Sequence, residues 1–166
     1  SFGEIIEGSL PDCLTVPWAK ETWNIIIRHQ KFAIVEARRQ HYGENYAEIL
    51  VVDCENDEVP TKNHVGIEYR ERLGLLFHSE ADRIPEVRAL RIDFPATLHQ
   101  NHVPKGEPPS LCLYFEPWIA VRATWTPQKH LNRIMWWLAE TASGTLHRAE
   151  QQLEQLYFQS PIELIL

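Results

Sequence analysis

The sequence predicts a single α+β domain, in which one helix precedes four antiparallel strands and further helices follow. Apolar residues recur at helical spacing near the N-terminus and again after residue 126. Between them lie four short strand-like runs, separated by stretches that carry Gly, Pro, Asn and Asp. Because successive short strands joined by turns pair with their neighbours, this order indicates an antiparallel meander flanked by helices.

The first helix is predicted from about Pro17 to Gln30. The hydroxyl of Thr15 is a candidate cap, and a proline suits the first helical turn. The apolar residues that share one helical face are Ala19, Trp23, Ile26 and Ile27. The β-branched run at residues 25–27 favours a strand by propensity, so the sequence leaves the end of this helix open.

The four strands are predicted from runs rich in β-branched, aromatic and aliphatic residues. They cover Phe32 to Arg38, Tyr46 to Cys54, Val65 to Phe77 and Val87 to Phe94. The breaks between them, at residues 41–45, 55–60 and 78–85, contain the residues expected of hairpin connections. These features predict the meander.

The second helix is predicted to begin at Thr126-Pro127, where a capping hydroxyl precedes a proline in the first helical turn. Gly144 is placed to end it. Its apolar stripe, which indicates a core-facing side, consists of Leu131, Ile134, Met135, Leu138 and Ala142. A shorter helix is predicted around residues 148–157.

Length and composition predict one domain over residues 1–166, since 44% hydrophobic residues suffice for a core. The net charge of −7 argues against nucleic-acid binding and favours a protein partner or a small substrate. The three cysteines lack zinc-site spacing, which indicates a reducing compartment, and Cys13 and Cys54 are expected to pack inside. With no membrane-length apolar run and no leader, we expect a cytoplasmic protein that does not bind membranes.

The candidate functional residue is Cys112, which lies in the apolar run at 110–115. A thiol reacts as its thiolate and needs partial exposure and polar neighbours. His99 and His102 are candidate proton acceptors or sources of positive charge, and the Asn101 amide is a candidate donor to an oxyanion. The alternative is that a cysteine between two leucines packs in the core.

Two further interpretations follow from the histidines. One is a metal site, with the candidate ligands His99, His102 and Cys112, joined by His64 or His78. The other is a thiol hydrolase with a Cys–His pair. The carboxylates Glu68, Glu71 and Asp82 are expected to be solvated charges near strand ends.

Three motifs, together with the order of the elements, resemble the ubiquitin-conjugating enzymes. In that family a His-Pro-Asn tripeptide precedes a catalytic cysteine flanked by aliphatic residues, and a Trp-Ser-Pro-like step leads into a helix. The corresponding positions here are His99-Gln100-Asn101, Leu111-Cys112-Leu113 and Trp125-Thr126-Pro127. The sequence departs from the family pattern at Gln100, which replaces the proline, and in a longer loop before the cysteine.

The segments at 125–131 and 137–147 are similar to the bacterial branch of that family. Those relatives occur beside, or fused to, a ubiquitin-activating-type adenylating domain in antiviral defence loci. The resemblance therefore implies a ubiquitin-conjugating-like fold. The apolar C-terminal run at 162–166 would suit a domain removed from such a fusion.

The resemblance implies that Cys112 carries a ubiquitin-like protein as a thioester and passes it to a protein target. Asn101 would stabilise the oxyanion, His99 would order the loop, and His102 would help to deprotonate the incoming nucleophile. An adenylating domain, in cis or in trans, would consume the ATP, so no cofactor and no metal are expected here. The alternative within the same fold is an inactive module that binds ubiquitin-like proteins.

Overall fold

The computed structural model describes residues 2–97 and 99–145, in which an antiparallel sheet packs against helices. The elements in these ranges are β1 (Glu4–Ile5), α1 (Pro17–Ile26), β2 (Phe32–Tyr42), β3 (Asn45–Glu55), β4 (Arg70–His78), β5 (Glu86–Ala89), β6 (Gln100–Asn101), β7 (Ser110–Leu111), α2 (Trp118–Val121) and α3 (Pro127–Ser143). The strand order across the sheet is β1-β2-β3-β4-β5-β7-β6, with antiparallel pairing throughout. The prediction of an α+β fold is confirmed.

Strands β2 to β5 pair in sequence order and form the predicted meander. Strands β2 and β3 are longer than predicted, because their pairing continues to Tyr42 and Asn45. Only Gly43 and Glu44 remain as the turn, and Gly43 adopts a positive φ of 65° that suits a tight hairpin.

Strand β4 begins at Arg70 and not at the predicted Val65. The Asn63 side chain accepts hydrogen bonds from the amides of Gly66 and Ile67, at 2.8 and 3.1 Å. These bonds satisfy the backbone locally and hold the segment as a loop, so it does not join the sheet.

Strand β5 ends at Ala89 and not at the predicted Phe94. Beyond it, the amide of Leu90 still donates to the carbonyl oxygen of Arg72. The amide of Phe94, however, donates to the carbonyl oxygen of Arg91, three residues back, which forms a turn. This turn carries the chain away from the sheet toward the site described below.

Helix α1 begins at Pro17 as predicted, but its cap differs from the prediction. Val16 occupies the N-cap position and provides no side-chain hydrogen bond. Glu48 of β3 instead accepts from the amides of Val16 and Thr15, at 2.6 and 2.8 Å. The Thr15 hydroxyl bonds to the hydroxyl of Tyr46 at 2.7 Å. A distant carboxylate therefore replaces the predicted local cap.

Helix α1 also ends four residues early, at Ile26 and not at Gln30. The amides of Arg28 and His29 bond to carbonyl oxygens three residues back, which tightens the last turn before β2 begins at Phe32. The β-branched run at 25–27 therefore marks the end of the helix.

Helix α3 follows its prediction closely. The Thr126 side chain accepts from the amide of Lys129, and Gly144 ends the helix with a positive φ of 72°. Its buried residues share a core with α1 and the inner face of the sheet. The predicted helix at 148–157 lies outside the described residues.

The expectation that Glu71 is a solvated charge is wrong. Its side chain is 1% exposed, because its position on β4 faces inward like that of Leu73. Arg91 neutralises it, with two hydrogen bonds of 2.8 and 2.9 Å. Glu68 and Asp82 are exposed, as expected. In the part of the chain that is described, no helix is long and apolar enough to cross a bilayer.

Candidate functional site

The hairpin formed by β6 and β7 brings Cys112 beside the His-Gln-Asn segment. Gln100 pairs with Leu111 and Asn101 with Ser110. Immediately beyond this pairing, the amide of Cys112 donates to the carbonyl oxygen of His99 at 3.0 Å. Residues that are nine to thirteen positions apart in sequence therefore meet across a single hairpin.

Cys112 is half-buried, whereas its neighbours Leu111 and Leu113 are 2% and 4% exposed. Its Sγ lies 4.0 Å from the carbonyl oxygen of Tyr114. Cys54 contrasts with it, because that thiol is fully buried in the core, and burial, assisted by nearby acids, raises its pKa to about 12. The packing interpretation therefore fits Cys54 better than Cys112.

The polar side chains of the His-Gln-Asn segment hold the hairpin in place. The Asn101 amide group donates to Ser110 Oγ at 3.1 Å and to the Leu111 carbonyl oxygen at 3.3 Å. The Gln100 amide group donates to the carbonyl oxygen of Pro95 at 2.9 Å. Where proline would restrict the backbone directly, Gln100 ties the strand to the preceding loop by a side-chain bond.

The two histidines occupy different positions. His99 is half-buried, and its ring centroid lies 6.4 Å from that of Phe115. His102 is exposed and lies beyond the paired residues of β6. The strand register therefore aligns His99, and not His102, with Cys112.

The metal-site interpretation finds no support in this geometry. Within residues 2–97 and 99–145, no three His, Cys, Asp or Glu side chains are grouped so as to hold a metal ion. His64 is exposed on a loop, and His78 bonds to Glu86 at 2.7 Å.

An aromatic and polar cluster connects the segment after Cys112 to α3. The indole nitrogen of Trp125 donates to the Tyr114 hydroxyl at 2.9 Å. That hydroxyl also forms a hydrogen bond of 2.7 Å with Nδ1 of His130. This cluster was not predicted from the sequence, although His130, a polar residue beside the apolar stripe of α3, was a signal for it.

Trp118 of α2 packs against the core and lies edge-on to Trp18 and Trp125, with ring centroids 6.1 and 6.2 Å away. Trp18 and Trp125 are themselves 4.3 Å apart. Aromatic contacts therefore connect the start of α1 to the residues just before α3 and to the segment that follows Cys112.

The buried imidazole of His130 should make stability depend on pH. Burial lowers its pKa from 6.5 to about 3. Between these values the unfolded chain binds a proton that the native protein does not, so the free energy of unfolding falls as the pH falls from 6.5 toward 3. Between pH 7 and pH 5, we expect the free energy of unfolding of the wild type to fall by about 2 kcal/mol more than that of a His130→Asn variant, because the asparagine side chain does not titrate in this range.

Urea unfolding of both proteins at the two pH values measures this difference. Because other groups that titrate in this range are common to both chains, their contributions cancel in the comparison. Equal losses in the two proteins would contradict the assignment of a neutral, buried imidazole.

Comparison with known proteins assigns the chain to a family. Neither a curated protein nor a solved structure gave a match. The model of prokaryotic E2 family A, however, matches residues 19–166, which include both sides of the Cys112 hairpin and all of α3. The chain therefore belongs to prokaryotic E2 family A and is a ubiquitin-conjugating-like domain.

Proposed function

We propose that this domain carries a ubiquitin-like protein as a thioester on Cys112 and transfers it to a protein target. The observation that carries the proposal is a half-buried cysteine, in a member of an E2 family, whose backbone amide bonds at 3.0 Å to the carbonyl oxygen of His99 in the His-Gln-Asn segment. Cys112 lies outside the core, and the hairpin brings opposite it a segment whose amide and imidazole side chains suit acyl transfer.

The transfer consists of two exchanges at one carbonyl carbon. The Cys112 thiolate first attacks the thioester on an adenylating partner, so that a new carbon–sulfur bond forms and the partner's thiolate leaves. An amine or other nucleophile on the target then attacks, loses its proton and displaces Cys112 as a thiolate. The partner, in cis or in trans, consumes the ATP, so the proposed chemistry uses no cofactor on this domain.

The neighbouring residues have separate proposed roles. Asn101 donates to the oxyanion of each tetrahedral intermediate. His99 orders the hairpin opposite Cys112, and exposed His102 accepts the proton of the incoming nucleophile. We place this activity in the cytoplasm, as part of a bacterial antiviral defence system.

Intact-mass spectrometry of the domain incubated with its adenylating partner, a ubiquitin-like protein and ATP tests the proposal. We expect an adduct that a thiol reductant removes. Because an ester resists reductant, Cys112→Ser should give a stable adduct or none. Cys13→Ser, which alters another half-buried thiol, is the matched control and should retain the wild-type adduct.

Absence of an adduct, with an active partner and a folded domain, would overturn the proposal. It would favour a module that binds ubiquitin-like proteins without reacting. An adduct that survives in Cys112→Ala would move the chemistry to another residue.

A further inference from the structure

We propose that Arg133 is a positioning residue for Cys112, an inference that rests on the transfer function proposed above. The Nε atom of Arg133, on α3, donates to the carbonyl oxygen of Leu113 at 2.6 Å. This carbonyl belongs to the residue that follows Cys112. The charged donor makes this bond stronger than a neutral one.

Cys112 is thereby held from two sides. Its own amide bonds to the carbonyl oxygen of His99 in the hairpin, and the next residue bonds to Arg133 in the helix. The hairpin by itself is short, because β6 and β7 contain two residues each. The anchor to α3, a seventeen-residue helix packed in the core, therefore supplies rigidity that the hairpin lacks.

The guanidinium is itself held by aromatic rings. Its central carbon lies 4.4 Å from the centroid of Trp136, 5.4 Å from that of Phe115 and 5.7 Å from that of Tyr114. Trp136 is three residues along α3, so it lies on the same helical face. Stacking on these rings restricts the side chain to the position in which Nε meets the carbonyl oxygen.

This arrangement explains why an arginine occupies the position. A lysine offers a point charge but no planar group that can stack and donate at the same time. Arg133 also borders a cavity of about 520 Å³, together with Lys129 and Asn132. Tyr114, two residues after Cys112, lines the same cavity.

The test compares Arg133→Met with the control Lys129→Met, which removes a cation from the same cavity. Lys129 donates to the carbonyl oxygen of Thr124 and leaves the bond to Leu113 intact. The first measurement is the rate of iodoacetamide alkylation at each cysteine, followed by peptide mass spectrometry. We expect Arg133→Met to speed the alkylation of Cys112 by about threefold or more, because the loosened segment exposes the thiol, with buried Cys54 unchanged.

The second measurement is discharge of the thioester onto free lysine. Because small displacements of a reacting group are costly, we expect discharge to slow by about tenfold or more in Arg133→Met. Arg133→Lys, which keeps a cation and a donor, should recover part of both effects, whereas Lys129→Met should match the wild type.

Faster labelling of Cys54 in Arg133→Met would indicate general unfolding. The test then passes to Arg133→Lys, in which the inference requires faster labelling of Cys112 with the labelling of Cys54 unchanged. Unchanged labelling of Cys112, or an equal change in Lys129→Met, would overturn the inference. Since alkylation needs no partner, it tests the positioning role even if no thioester forms and the proposed function fails.

Discussion

An Asn101→Ala variant is expected to discharge the Cys112 thioester about 10²- to 10³-fold more slowly than the wild type. The Asn101 amide lies across the hairpin from residues 110 and 111, immediately before the thiol. Its bond to the Leu111 carbonyl oxygen is long, at 3.3 Å, so this donor can be redirected to a nearby oxyanion at small cost. Single-turnover discharge of the purified thioester onto free lysine, followed on non-reducing gels, measures the effect.

Two variants separate oxyanion stabilisation from a role in holding the hairpin. Asn101→Asp keeps the shape of the side chain but replaces the donor with an acceptor, so it should be as slow as Asn101→Ala. Ser110→Ala removes a hydrogen-bond partner of Asn101 and keeps the amide donor, so it should remain close to wild type. Discharge that falls equally in Ser110→Ala would contradict the oxyanion role.

Local signals in the sequence were enough to predict α1, the meander of β2 to β5 and α3, in that order. Helix α3 is the clearest case, since Thr126 caps it and Gly144 ends it within the segment itself. Contacts between residues distant in sequence were predicted less well. The cap of α1 is provided by Glu48, 32 residues away from Val16, and no pattern around Thr15 indicates that contact. The short strands β1, β6 and β7 likewise exist through pairing with their neighbours.

In the candidate site, too, residues were predictable from the sequence only where the signal is local. Cys112, His99 and Asn101 could be singled out because polar residues stand close in sequence to a cysteine, and the hairpin does bring them together. Arg133 could not, since its bond joins residues twenty positions apart and arginine on a helix is ordinarily solvated. Glu71 was predicted wrongly for the converse reason, because its inward position is acceptable only with Arg91 beside it.

Loss of the buried carboxylate in Glu48→Ala should lower the free energy of unfolding by about 3–5 kcal/mol, the usual cost of breaking a buried ion pair. The Glu48 side chain is fully buried, and it accepts from two amides at the start of α1 and from Arg39. Its removal leaves those amides without their acceptor and the arginine without its counter-charge. It also removes a negative charge from the positive end of the helix dipole. Urea unfolding at pH 7 measures the loss.

The ion pair and the helix cap contribute separately, and a second pair of variants distinguishes them. Arg39→Met breaks the ion pair but leaves Glu48 to cap α1, whereas Glu48→Gln keeps an oxygen for the amides and loses the charge. If capping dominates, Glu48→Gln should be much less destabilising than Glu48→Ala, since its amide oxygen still accepts from Val16. If Glu48→Gln costs as much as Glu48→Ala, the charge on Arg39 sets the stability, and the cap at α1 is secondary. The ring centroids of Trp18, in α1, and Trp125 lie 4.3 Å apart, so a loosened start of α1 should also slow transfer at Cys112. Unaltered transfer in Glu48→Ala would show that the two sides of this aromatic contact move independently.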